Sequence, residues 1–230
     1  KIREITLRAT GQQVRFEYDA FGLPLKKSGQ GGETVHVSGI YEVTNPTIPG
    51  AVHRYHVSNG TAVVATVSRT LVNNHKDEKV QFYHHDALGS VDVITDPTGT
   101  SLDPQYYDAW GQRLQGSWGG PPLTSSPQAL FGYTGHQHDQ DFALVNLVNM
   151  VGRHCDPKLG RFLVADPVVV DPYHSQGLNR YSYVYNSPTN LTDPTGHDAD
   201  YSEAPVTEEE GYDFSVTEEC LYDCEGEGGN

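Results

Sequence analysis

Tyr107-Asp108-Ala109-Trp110-Gly111 repeats an earlier unit, Tyr18-Asp19-Ala20-Phe21-Gly22. A copy with two added residues stands between them at Tyr83-His84-His85-Asp86-Ala87-Leu88-Gly89. Each unit runs Tyr, Asp, an apolar side chain, Gly. That order suits a hairpin turn: Asp accepts backbone N–H groups, Gly takes a positive φ, and the aromatic side chains pack on the neighbouring hairpin. Around the units, short runs alternate apolar and polar residues as half-buried strands do, at 14–18 and again at 35–41. Residues 61–67 and 80–83 are further strand candidates, and 91–94 lead into the β-turn sequence Asp96-Pro97-Thr98-Gly99. The expected fold class is therefore all-β, built from antiparallel hairpins. Only 142–151 has the length and apolar density to compete as a helix, and its Val and Asn content leaves that question open.

Charge divides the chain. From Asp198 to Asn230 there are twelve acids and no Lys or Arg, whereas the whole chain has 30 acids and 15 bases. Residues 1–197 thus carry −3 and the tail −12, which puts a boundary near His197. No basic cluster marks a nucleic-acid footprint, and the tail repels phosphates, so no nucleic-acid partner is expected. No run approaches 18 apolar residues and no basic segment precedes an apolar one at the start. Neither a membrane span nor a signal peptide is expected within this stretch. The chain begins at Lys1 rather than Met and reads as part of something longer, with export signals expected upstream or outside it. The expected organisation is hairpins over 1–115, a Gly/Pro/Ser-rich loop at 116–128, a compact unit at 129–197, and a variable acidic tail at 198–230.

These units resemble YD repeats, and the rest of the chain resembles the Rhs repeat-associated core domain. Phe131-Gly132-Tyr133-Thr134-Gly135-His136 is similar to the family's Phe-x-x-Thr-Gly-His/Arg segment. The run from Arg153-His154-Cys155-Asp156-Pro157 through Gly160-Arg161-Phe162 to Asp166-Pro167 is similar to its Arg-x-Tyr-Asp-Pro-x-x-Gly-Arg-Phe-x-x-x-Asp-Pro signature, with Cys155 in place of the usual Tyr. Asn179-Arg180-Tyr181, Asn186-Ser187-Pro188 and Asp193-Pro194-Thr195-Gly196 resemble the closing motif. Similar shells occur in the C subunit of Tc toxins and in teneurins.

The resemblance implies a spiral of hairpins that closes as a hollow shell around a polymorphic toxin, with the core unit as its plug. It implies as partners the chain's own C-terminal toxin segment, upstream shell repeats, a delivery apparatus and an immunity protein, in a secreted or cell-surface protein serving interbacterial competition. It also implies an intramolecular aspartyl protease made of Arg153, Asp166 and Asp193, cutting just after Gly196 in the region of His197 and Asp198, with no cofactor and no metal. Two carboxylates that share one proton supply an acid and a base together. Against this, Asp-Pro occurs six times in the chain, and most such pairs only start turns. The extra residues around 168–173 and a His at 197, where Leu or Met is frequent, depart from the common pattern. Three readings follow: a self-cleaving toxin shell, a non-cleaving structural or cell-contact shell with a silent dyad, and an unrelated β-rich binding module. His84-His85-Asp86 suits a metal poorly because strand neighbours point to opposite faces. His136-Gln137-His138-Asp139 is expected as a solvated turn, and Cys220 with Cys224 as either a disulfide or two free thiols.

Overall fold

The computed structural model describes residues 1–7, 11–29, 31–72, 75–123, 129–139, 147–169, 172–173, 175–197 and 200–201. Ten strands follow one another in a single sheet, each antiparallel to the next: β1 (Glu4–Leu7), β2 (Gln12–Tyr18), β3 (Pro24–Gly29), β4 (Gly32–Val37), β5 (Tyr41–Thr44), β6 (Val52–Ser58), β7 (Val63–Val72), β8 (His75–His85), β9 (Val91–Thr95) and β10 (Ser101–Pro104). A short pair, β11 (Tyr106–Tyr107) with β12 (Arg113–Leu114), carries the last Tyr-Asp unit. Among the described residues there is no α-helix.

The turns work as the residue types require. Asp19 Oδ1 accepts from Phe21 N and Leu23 N at 2.9 and 2.8 Å, and Gly22 sits at φ +83°. Asp86 and Asp108 cap their turns the same way, with Gly89 at φ +80° and Gly111 at φ +89°. Packing is less uniform than the repeat implied. Tyr83 and Tyr107 are buried and Trp110 packs on the core, but Phe21 is 92% exposed. One expected strand is two. Residues 35–41 break at Ser38 and Gly39, both with positive φ (53° and 67°), which is the backbone of a tight two-strand turn.

A second unit sits against the sheet. Its four-stranded antiparallel sheet is β13 (Gln137–Asp139), β14 (Leu147–Met150), β15 (Arg153–Asp156) and β16 (Arg161–Phe162), and β17 (Leu191–Thr192) pairs with β18 (Asp200–Tyr201). Residues 147–150 are therefore strand, and 142–146 lie outside the described residues. Val148, Met150, Cys155, Phe162, Tyr183 and Leu191 form the core with Tyr107 and Tyr133. Each fully buried side chain of this size contributes ~1.5–3 kcal/mol of hydrophobic stabilisation.

Polar contacts join the two units. Lys27 Nζ donates to Asp139 Oδ1 at 3.2 Å, and Gln137 Nε2 donates to Glu42 Oε2 at 3.2 Å. Phe131 meets His56 and Tyr83 edge-on. Arg113, 1% exposed, donates to Gln105 Oε1 and to the carbonyls of Ala129 and Phe131, and stacks on Tyr107. The 136–139 stretch is not a solvated turn: His136, His138 and Asp139 are buried, because β13 is an edge of the second sheet pressed against β3 and β5.

Candidate functional site

Arg153 opens β15, directly after the hairpin turn that follows β14. Asp166 lies past β16, where its backbone N donates to Arg180 O at 2.8 Å. Asp193 follows β17. The structure brings all three together, and all are buried: Arg153 and Asp166 are 6% exposed and Asp193 2%. A single guanidinium nitrogen, Arg153 Nη2, lies 2.9 Å from Asp166 Oδ2 and 3.6 Å from Asp193 Oδ2. The two carboxyl oxygens are thus no farther apart than those two distances combined.

The rest of the guanidinium is equally committed. Arg153 Nε donates to Gly196 O, Nη1 donates to Arg180 O at 3.1 Å, and the planar group stacks 3.6 Å from the centroid of Phe162. Asp193 Oδ1 accepts from Gly196 N at 2.7 Å, His197 N at 3.0 Å and Thr195 N at 3.3 Å. The Gly196–His197 peptide is therefore gripped at both ends, its carbonyl by Arg153 and its N–H by Asp193. An adjoining cleft of about 40 Å³, bordered by Asp166, Asp193, Arg153, Arg180 and His197, has room for a water or two.

The turn before Arg153 is the floor under this peptide. Gly152 N donates to Thr195 O at 2.9 Å, and Gly196 sits at φ +75° so close to β14 that a Cβ would come 2.1 Å from Met150 O. Behind the loop, His136 Nε2 donates to Pro194 O at 3.4 Å, the only role open to a ring nitrogen facing a carbonyl, while Thr134 Oγ1 lies 3.0 Å from Nδ1. Burial pushes the Asp193 carboxyl up from the ordinary carboxylate range, against the pull of Arg153 and the three backbone N–H groups. An acid–base pair needs one member that holds its proton near neutrality, and that shift is in the required direction.

Arg180, Gly152 and His136 were not singled out from sequence as parts of the site. Arg180 and His136 stand in quoted motifs, but nothing in their spacing shows that one supplies a carbonyl to Arg153 and the other steadies Pro194. Asp198, Cys220 and Cys224 lie outside the described residues. Cys155 is buried in the core, where burial pushes its thiol up to about 12. Among the described residues no group of three His, Cys, Asp or Glu side chains could hold a metal ion. His84 Nε2 instead lies 2.9 Å from Thr95 Oγ1.

Consecutive antiparallel hairpins turned by Tyr-Asp-x-x-Gly units, ending in a compact unit with this buried Arg-Asp-Asp cluster, define a YD-repeat shell segment. In sequence and fold the chain is similar to Rhs/YD-repeat shell proteins. It is 32% identical over 134 residues to the tRNA3(Ser)-specific nuclease WapA of Bacillus spizizenii, a match covering 56% of this chain and 5% of that protein. It is also 32% identical over 123 residues to the tRNA nuclease WapA of Bacillus subtilis, covering 52% and 5%. The crystal structure of TcdB2-TccC3 without its hypervariable C-terminal region superposes with a TM-score of 0.66 at 19% identity, over 84% of this chain and 10% of that one. This chain thus spans about 5% of the length of those curated relatives. No family model matches it.

Proposed function

We propose that this chain forms the C-terminal end of a toxin-encapsulating shell and cuts its own backbone at Gly196–His197, freeing the segment that follows. The observation that carries the reading is the double grip on that one peptide beside a buried acid pair. A water in the cleft attacks the Gly196 carbonyl carbon. One carboxylate takes its proton, and the protonated partner with Arg153 stabilises the charge growing on Gly196 O. The C–N bond then breaks, Gly196 leaves as a carboxylate, and the pair returns a proton to His197 N as it becomes a free amine. The pair acts jointly, and the two ionisations belong to both residues. In this reading the protein is exported by signals outside the chain, and its cargo is its own C-terminal segment. The relatives' names supply the class of cargo to look for, a nuclease or another toxin, in the part that follows the cut.

The competing reading is a non-cleaving shell with a silent dyad. One observation favours it: Asp96 caps an identical Asp-Pro-Thr-Gly turn through the same oxygen, accepting from Thr98 N and Thr100 N, on the surface and away from the Arg153 cluster. Expression of the full-length protein, read by gel and by N-terminal sequencing of the smaller product, separates the two. The wild type should yield a fragment starting at His197. Asp193→Asn should slow its appearance at least about a hundredfold, the scale of lost acid–base catalysis, and Asp96→Asn should not. An uncut wild type selects the silent shell.

A further inference from the structure

The chain on either side of the proposed cut returns to the same place. β17 (Leu191–Thr192) runs up to Asp193, and β18 (Asp200–Tyr201) comes after His197. The two strands pair antiparallel, Leu191 opposite Tyr201 and Thr192 opposite Asp200, so the Gly196–His197 bond falls between the two arms of a hairpin. β17 is the fixed arm. Leu191 is buried in the core, and its backbone N donates to Ser187 O at 3.1 Å, closing the turn that leads into the strand. That bond also sets the register. Antiparallel neighbours alternate between pairs that exchange both backbone bonds and pairs that exchange none. With Leu191 N committed to Ser187 O, Thr192 and Asp200 are the pair that bonds, and the N–H of Tyr201 points away from β17.

We propose that β17 is a docking strand for the segment that follows the cut, holding it by backbone pairing at Asp200 and so positioning the Gly196–His197 peptide against the acid pair. The inference rests on the self-cleavage reading and adds the far side of its site. Before the bond, the chain is held residue by residue. Asp193 caps the loop, His136 donates to Pro194 O, Gly152 N donates to Thr195 O, and Arg153 donates to Gly196 O. Past the bond, His197 N donates to Asp193 Oδ1 and Thr195 Oγ1, and the β17 pair follows. The His197 bonds sit on the nitrogen that becomes the leaving amine, whereas the β17 pair is a hold that the reaction leaves untouched. A peptide fixed on both sides stays in the attack geometry, and a small displacement of its reacting atoms costs about a hundredfold in rate. Strand pairing takes its affinity from main chain rather than side chain. β17 can therefore seat cargo of unrelated sequence on one condition: residue 200 must carry an N–H and lie extended.

The test is the rate of fragment appearance in the full-length protein carrying single substitutions past the cut. Asp200→Pro removes the donor and should slow cleavage about tenfold or more, the scale of a lost backbone bond beside a positioned peptide. Asp200→Ala keeps the N–H and should cut at the wild-type rate. Tyr201→Pro should do the same, because its ring would stand on the side away from β17, where an edge strand tolerates proline. Asp200→Pro cut as fast as the wild type overturns the proposal. So does Asp200→Ala as slow as Asp200→Pro, or the two proline variants equally slow. Asp193→Asn run alongside keeps the two ideas apart. If it remains cleaved, or the wild type is uncut, self-cleavage by this pair fails. If it is uncut while Asp200→Pro matches a cleaving wild type, only the docking role of β17 fails.

Discussion

Asp193 and Asp96 begin the same four residues, Asp-Pro-Thr-Gly, and both oxygens named above cap the turn that follows. Their surroundings separate them. Asp96 lies on the surface, where the Thr98 hydroxyl and the backbone N–H of Thr100 pull its carboxyl below the ordinary range. Burial pushes Asp193 the other way. Nothing within the tetrapeptide distinguishes the two, so the site was legible only through the longer register that links Arg153, Asp166 and Asp193. The local sequence around His197 held no sign of Asp166. Two substitutions test the grip on the peptide. Arg153→Lys cannot reach Gly196 O, Arg180 O and both acids from one planar group, and should slow fragment release at least about a hundredfold. Gly196→Ala should block cleavage and lower the melting temperature. Its Cβ would strike Met150 O, and a left-handed backbone alone costs an alanine roughly 1–2 kcal/mol. A gel together with a thermal melt reads both outcomes, and an Ala variant cut at the wild-type rate would show that the loop does not need this close seat.

At the level of elements, the period-two pattern and the Tyr-Asp-x-x-Gly turns foretold the hairpins, since both depend on neighbours a few residues away. What escaped them depends on distant partners. Ser38-Gly39 turned the chain inside an alternating run because the pattern on either side of a two-residue turn continues without a visible break. β13 looked polar enough for solvent because the groups that satisfy it come from elsewhere: Lys27 on β3, His154 on β15 at 2.9 Å from Asp139 Oδ2, and Glu42 on β5. This polar seam fixes how the second unit sits on the large sheet, and with it how β14 and β15 present the turn under Gly196. Lys27→Met should therefore cost roughly 3 kcal/mol, the scale of a buried pair broken from one side. In a Lys27→Met, Asp139→Asn double variant the second change should cost much less than it does alone. Urea melts of the four proteins measure the coupling; additive losses would mean that the seam contributes nothing as a pair.

Across the whole molecule most of the buried titratable groups point one way on acidification; Asp193, raised by burial, points the other. Burial holds His36, His136 and His138 below the ordinary imidazole range, so the folded chain resists a proton that the unfolded chain accepts. Their contribution is complete above about pH 6.5 and is lost as pH falls below it. Glu42 adds a second stage. Burial opposes its ionisation most strongly, but the hydrogen bond to His56 and the charges of Arg54, His36 and His56 outweigh that and bring it to about 2. Lys27 and His154 likewise overcome burial to hold Asp139 well below the carboxylate range. Depressed carboxyls stabilise the fold above their unfolded values and lose that contribution on the way down to their folded ones, here between about pH 4.5 and pH 2 for Glu42. For Glu42 the loss is on the order of 3 kcal/mol. Relief of self-repulsion acts in the opposite sense as the chain nears its pI of about 5.0. Within residues 1–197 that relief is small, because this stretch carries only three of the fifteen net negative charges. The melting temperature should thus fall from pH 7.5 to 5.5 and more steeply from 4.5 to 2.5. Glu42→Gln should start lower at pH 7.5 and flatten the second stage. A melting temperature that holds steady from pH 7.5 to 3 would mean that these buried groups exchange protons as freely in the fold as in the unfolded chain.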